Sequence, residues 1–332
     1  METIFAADVG GTTVRLAVFQ GSDLTTPVFR KSYPSAAYDG LTSVIRLFLE
    51  EMGSAGVPTE FSGAGMGIAG PVEPNVARMT NLPWVIERGE LEALLKVERV
   101  IFLNDFAAVC NAVPHLLPEQ KSQLGGGSPQ PESSIAVLGA GTGLGEGLLV
   151  WNGEDYLTVA SEGGNTDFAP RGALQARLCV FLEGDFGRVS WERIVSGPGL
   201  VNLYRFLRDS EGVPESGNVR DEMATGDPAA VISAHGLAHT DPLCDQVLDL
   251  FCACYGAAAG NLALTSLGSG GVYLAGGVTQ KILGRIAAGG FRKAFEGNDQ
   301  FADFLARVPV FAITHPDPGL FGAALAAAST KG

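Results

Sequence analysis

Twice along this chain an apolar run ends in a glycine-rich turn and a second apolar run returns. Ile4–Asp8 leads through Gly10-Gly11-Thr12-Thr13 into Val14–Phe19, and Ile135–Leu138 leads through Gly139-Ala140-Gly141-Thr142-Gly143 into Gly145–Trp151. So short a turn between two strand-like runs makes an antiparallel hairpin. The pattern comes once early and once near the middle, with no short repeat of the solenoid kind. It predicts two related α/β lobes, each carrying a hairpin whose tip can face phosphate.

The stretches between the hairpins fill in such lobes. Val28–Tyr33 adds a third strand, and Leu41, Val44, Ile45, Phe48, Leu49 and Met52 recur at helical spacing. Ala64–Ala69 and Val100–Leu103 read as buried strands, and Asp105 opens a helix through Val113. Residues 118–133, rich in Pro, Gly, Ser and Gln without periodicity, read as a surface loop. The second half is more helical: Ala173–Leu182, Trp191–Val195, Gly199–Asp209, Ala229–His235 and Leu243–Leu264. Gly271–Ala275 and Val308–Ile313 are further strands. Pro318–Ala328 is an Ala-rich closing helix that must be packed.

The 332 residues are enough for two lobes, and 46% hydrophobic with 17% charged residues is a globular balance. A net charge of −14 with no basic stripe argues against nucleic acid. A phosphate-bearing ligand must then be held by local amides and a metal ion. The five cysteines are irregularly spaced and read as reduced, small hydrophobes rather than a metal or disulfide framework. Ile4–Ala7 lacks a basic leader, and no run reaches about 18 uninterrupted apolar residues. The expectation is a cytoplasmic protein with no membrane span.

Several motifs have chemical potential, each beside a plainer reading. Glycines at Gly10 and Gly11 tolerate positive φ and let phosphate oxygens approach the backbone. Thr12 adds a hydroxyl, and Asp8 is the candidate Mg²⁺ ligand, directly or through water. The same residues also make an ordinary hairpin turn. Gly141-Thr142-Gly143 can cradle a polyphosphate; no Lys-Ser/Thr follows, so it is not a Walker loop, and the following strand argues against a dinucleotide fingerprint. Asp105, at a strand end entering a helix, can accept a proton from a bound alcohol, and Asn104 can hydrogen-bond sugar hydroxyls. Taken by itself, that pair reads first as a helix cap. Glu162, beside Gly163-Gly164-Asn165, and Glu192, before Ser196-Gly197-Pro198-Gly199, are carboxylates suited to vicinal hydroxyls, or simply turn and helix residues. Gly276-Gly277 after a strand can receive an adenosine or just turn the chain.

Taken in order, these motifs resemble the bacterial glucokinase family of the hexokinase–actin superfamily. The landmarks are Asp8–Thr12, Gly67–Pro71, Thr80-Asn81, Asn104-Asp105-Phe106, Gly139–Gly145, Glu162–Gly164, Asp167–Pro170, Ser196–Asn202, Ala275–Gly277 and Pro318–Leu320, spanning nearly the whole chain. The resemblance implies a two-lobed α/β hexokinase/actin-like (ribonuclease H-like) fold with a central cleft. The small lobe is 1–115 plus 314–332 and the large lobe 116–313. It implies phosphorylation of glucose at the 6-hydroxyl with ATP and Mg²⁺, the first step of glycolysis, with Asp105 as general base. Asn104, Glu162, Asn165 and Glu192 would bind the sugar, Gly10–Thr12 and Gly141–Gly143 the phosphates, and Gly276-Gly277 the adenosine. It also suggests a homodimer.

Two positions depart from the family pattern. Asn165 stands where His is usual, which puts the sugar range in question, and Thr13 stands where Asn is usual. The histidines His115, His235, His239 and His315 fall outside the landmarks and receive no role. The alternatives are a kinase for another hexose or glucosamine and a non-catalytic sugar-binding regulator. Asp105 and the paired turns favour the kinase.

Overall fold

In the computed structural model, which describes residues 2–21 and 24–329, the first hairpin forms as β1 (Thr3–Val9) and β2 (Thr13–Gln20). They pair in register from Thr3 with Gln20 to Val9 with Val14, and Gly10 N–H donates to the Thr13 carbonyl at 3.0 Å to close the turn. β3 (Phe29–Pro34) follows, then α1 (Leu41–Ser54), β4 (Gly63–Ile68), the small hairpin β5 (Val76–Arg78) and β6 (Val85–Glu87), α2 (Arg88–Leu95), β7 (Val100–Asn104) and α3 (Asp105–Ala112). The sheet order is β3-β2-β1-β4-β7, antiparallel through β3, β2 and β1, then parallel to β4 and β7. α1 buries Leu41, Val44, Ile45, Phe48 and Met52, the positions its helical spacing marks.

The closing helix Pro318–Ala328 completes this first unit, which comprises 1–117 and 315–332. Its small residues explain its placement. A Cβ at Gly65 of β4 would run into the Ala323 carbonyl, and a Cβ at Gly322 into the Ala108 carbonyl of α3. Backbone therefore meets backbone on both faces of the helix, and Asn111 Nδ2 donates to the Gly322 carbonyl at 2.8 Å. An apolar, Ala-rich helix is soluble here because these contacts bury it.

The second unit, 118–314, repeats the scheme. It opens with β8 (Lys121–Gly125), then β9 (Ile135–Ala140), β10 (Leu144–Trp151) and β11 (Tyr156–Ser161). Helices α4 (Gly172–Phe186), α5 (Gly197–Asp209), α6 (Gly217–Thr225), α7 (Pro228–Leu237) and α8 (Pro242–Ser266) follow. β12 (Val272–Ala275), α9 (Gly277–Lys281), α10 (Leu283–Ala287), α11 (Gly290–Glu296), α12 (Ala302–Arg307) and β13 (Val310–Ile313) end it. The sheet order is β11-β10-β9-β12-β13-β8. Strands β11, β10, β9, β12 and β13 reproduce the senses of β3, β2, β1, β4 and β7, antiparallel then parallel. β8 is an added antiparallel edge.

Some expectations change. Residues 121–125 are the strand β8, not loop; at a sheet edge a strand needs few apolar residues, and this one has a single large one, Leu124. The stretch from Trp191 is a 3₁₀ turn, Trp191–Arg193, rather than a helix to Val195. α8 has the length and hydropathy of a membrane span, but 72% of its most apolar window is buried inside the unit; it is the core helix. The five cysteines are free and four are buried. Burial pushes the thiols of Cys110, Cys244, Cys252 and Cys254 up to about 12.

Candidate active site

In the first unit the candidate residues sit at the carboxyl ends of the parallel strands, where open α/β sheets bind ligands. Asp8 of β1 is in register with Gly67 of β4, and Ile68 of β4 with Asn104 of β7. Gly67 lets the start of α3 lie close over β4: a Cβ there would come within 3.1 Å of Ala108 Cβ and 3.7 Å of Asp105 Cα. The residue capping α3 is Asn104, not Asp105. Asn104 Oδ1 accepts from Phe106 N–H at 3.0 Å and Ala107 N–H at 3.3 Å, and Asp105 Oδ1 accepts from Phe106 N–H at 2.8 Å. The cap uses the Asn104 oxygen and leaves its amide N–H groups as the donors for a ligand. Asp105 stands in the first turn of α3.

The first turn is rigid. Ser35 Oγ donates to the Gly10 carbonyl at 2.8 Å and Ser35 N–H to the Thr12 carbonyl at 2.9 Å. Its glycines sit in close quarters rather than at positive φ. Neither Gly10 nor Gly11 lies in the left-handed region, but a Cβ would stand 3.0 Å from the Thr13 oxygen in one case and 3.3 Å from Asn81 Cβ in the other. Asp8 pairs across the hairpin with Arg15 at 2.9 Å. Asp317, before the closing helix, pairs with Arg30 at 2.8 Å and lies 3.6 Å from Arg15. Burial pushes the Asp8 carboxyl up, Arg15 pulls it back, and Asp317 adds a smaller upward push. Arg15 and Asp317 escape a motif search because a cross-strand pair and a contact 300 residues away leave no local spacing.

In the second unit one residue organises the rest. Leu144, the first residue of β10, donates its N–H to Glu192 Oε2 at 2.9 Å, and its carbonyl lies where a Cβ of Gly164 would fall. Glu192 Oε2 also presses on Gly143, where a Cβ would be 2.5 Å away. The phosphate-type turn, Glu192 and the turn after Glu162 thus converge on the start of β10. The latter turn is a 3₁₀ turn, Gly163–Asn165. Gly163 N–H is held by Ser161 Oγ at 2.9 Å, the Asn165 carbonyl by Arg188 at 2.9 Å, and Trp191 N–H reaches the Thr166 carbonyl at 3.0 Å. Glu162 and Asn165 remain exposed.

Next to the Gly141-Thr142 turn is a cavity of about 490 Å³. Gly197 N–H donates to the Gly141 carbonyl at 2.8 Å, fixing the start of α5 beside it. Leu200, Val201, Ala229, Ala230 and Val278 form apolar walls, and Asp227 and Lys281 are its charged residues. Gly277 lines it too. Gly276 has φ of 93° and a Cβ there would strike the Ala140 carbonyl, so here glycine is needed on both grounds. Asp227, Lys281 and Glu146, discussed below, were not singled out by sequence, since each lies outside a motif. Among the described residues no cluster of three or more His, Cys, Asp or Glu has metal-holding geometry.

Residues 5–330 match the Glucokinase family model. A glucokinase of Nostoc punctiforme is 39% identical over 344 residues, covering 99% of both chains. The crystal structure of a glucokinase from an Antarctic psychrotroph superposes with a TM-score of 0.84 at 29% identity, covering 98% of both chains. A ROK family glucokinase from Streptomyces griseus, solved with glucose and AMPPNP, shares the fold with a TM-score of 0.67 at 20% identity, over 98% of this chain and 99% of that one. The architecture is that of the actin-like ATPase fold of sugar kinases.

Proposed function

The chain belongs to the glucokinase family, and we infer that it transfers the terminal phosphoryl group of ATP to the 6-hydroxyl of glucose, giving glucose 6-phosphate and ADP. The observation that carries this reading is the 39% identity over 99% of the chain to a curated glucokinase.

Phosphoryl transfer requires positioning and charge neutralisation more than covalent chemistry. Asp105 is the general base: its carboxylate takes the proton of the sugar 6-hydroxyl as that oxygen attacks phosphorus. Asn104 offers amide donors to the sugar, and Glu162, Asn165 and Glu192 hold its other hydroxyls. Support for this grouping comes from the exposure of Glu162 and Asn165 on a braced turn and from the tie between Glu192 and β10. Gly10–Thr12 and Gly141–Gly143 bring backbone N–H groups to the phosphates. The apolar cavity beside Gly141 and Gly277 suits an adenosine, with Gly276-Gly277 giving close approach.

Asp8 is a single carboxylate already paired with Arg15. That fits a Mg²⁺ carried mainly by the nucleotide and its waters, which Asp8 meets through water, and not an all-protein cage. When bound, the ion supplies positive charge at the transferring phosphoryl oxygens. Arg15 offsets part of the upward push that burial exerts on the Asp8 carboxyl.

An ADP-release assay over glucose, mannose, fructose and glucosamine tests the reading. Glucose should have the highest kcat/KM. A preference for another sugar would assign the different substrate to Asn165, and no ADP release with any sugar would refute kinase activity.

A further inference from the structure

Glu146 is a carboxylic acid in a place that favours an uncharged group. It lies on β10, opposite Leu138 on β9 and Ser161 on β11, and only 8% of it is exposed. Its Oε2 packs against Gly163, at the point a Cβ of that residue would occupy. Among the described residues no hydrogen bond or ion pair joins its carboxyl to another group, and its oxygens keep a little contact with solvent. The turn it supports is held at three further points. Gly163 N–H is tied to Ser161 Oγ, Gly164 abuts the Leu144 carbonyl, and the Asn165 carbonyl is held by Arg188.

We propose that Glu146 is a positioning residue for the sugar: as a neutral acid it seats the Glu162–Asn165 turn on β10, and its ionisation unseats that turn, so glucose binding weakens as pH rises. The proposal rests on the assignment of Glu162 and Asn165 to the sugar.

Burial alone moves the Glu146 carboxyl up to about 7, so the change of charge falls in the physiological range. The groups around it do not offer an ionised carboxylate a partner. Tyr255 on α8 is pushed up by its own burial and stays neutral. No neighbouring charge contributes to the rise of the Glu146 carboxyl, which burial alone causes. Arg188 is committed to the Asn165 carbonyl and to Asp167 at 2.7 Å, and Arg193 stacks over Phe186 at 4.2 Å. An ionised, unpaired carboxylate draws water or moves out, and here what it moves against is the turn bearing two sugar ligands.

Glucose titrated calorimetrically into the nucleotide-free protein tests this from about pH 6 to about pH 8.5, a range that brackets the transition. The glucose Kd of the parent should rise roughly threefold to tenfold across it, a fraction of the total cost of ionisation. Glu146→Gln, isosteric and never charged, should hold the low-pH affinity throughout, and in turnover its effect should be on KM rather than kcat. Glu146→Ala, which removes the support, should bind weakly at both ends. Parent and Glu146→Gln curves with the same slope, or a flat parent curve, overturn the proposal. Glu162→Gln in the same titration separates the two levels. If it weakens glucose while the Glu146 curves superpose, only the inference falls. If it leaves glucose affinity intact, the sugar assignment falls and the inference with it.

Discussion

Glu192 Oε2 accepts the Leu144 N–H at 2.9 Å while pressing on Gly143, so one carboxylate touches both the hairpin turn assigned to phosphate and the start of the strand beneath the sugar turn. Its two variants should therefore behave differently. Glu192→Gln keeps an oxygen for Leu144 and loses only charge; glucose KM should rise and ATP KM should change little. Glu192→Ala also removes a charge-assisted hydrogen bond of about 1.5–3 kcal/mol, and ATP KM should rise by roughly tenfold as well. Steady-state kinetics with each substrate varied distinguishes the cases. An unchanged ATP KM in the Ala variant would separate Glu192 from the phosphate turn.

Asp105→Ala should leave glucose bound and stop turnover. Removing a general base costs roughly 10²–10⁴-fold in kcat, and the Asn104 cap keeps α3 in place because its bonds to Phe106 and Ala107 do not involve Asp105. Calorimetry for the sugar and single-turnover kinetics for the chemistry provide the two readings. A variant with near-parental kcat would remove Asp105 from the mechanism.

Gly65→Ala should destabilise the first unit far more than a single methyl suggests. The added carbon meets the Ala323 carbonyl, a backbone atom of a helix that is pinned from its other side by Ala108. Overpacking of this kind costs about 1–3 kcal/mol or more. A melting temperature lowered by several degrees is expected. Gly284, an exposed helical glycine with open space around its Cβ position, is the control, and Gly284→Ala should be neutral or stabilising.

The pH dependence of stability follows from Glu146. Its carboxyl is raised from 4.5 to about 7 in the folded protein, so the folded state binds the proton more tightly than the unfolded one. The resulting stability is full below about pH 4.5 and is lost as pH climbs to about 7. The swing is on the order of 3 kcal/mol. Glu146→Gln should therefore melt above the parent at about pH 8, with the difference shrinking or reversing towards about pH 5. Parallel melting curves across pH would mean that the acid is better solvated than its surroundings imply.

What the sequence made legible was local. Both hairpins, α1 and the long α8 follow from turn glycines and apolar spacing, and the order of weak motifs was enough to indicate the family. The edge strand β8 was read as loop because Lys121-Ser122-Gln123-Leu124-Gly125 carries no alternation strong enough to set against the neighbouring Pro and Gly. The glycines were legible as turn residues, but the reason for most of them was not. Gly164 and Gly322 are kept small by the backbone of residues distant in sequence, Leu144 and Ala108, while Gly143 and Gly163 lie against the carboxylates of Glu192 and Glu146. Asn104 shows the same limit: both a ligand and a cap were legible, and only the backbone geometry assigns its oxygen to the cap.

The closing helix also sets an order on biosynthesis. The glycine face of β4 and the Ala108 face of α3 leave the ribosome early and bare, and the segment that covers them emerges only after the whole of 118–314. At a synthesis rate of about 5–20 residues per second the nascent first unit waits roughly 10–40 s for its last piece. The second unit, continuous in sequence, has every strand it needs within that interval. Premature termination just after residue 314 would therefore leave one finished half and one open, chaperone-dependent half on the same polypeptide.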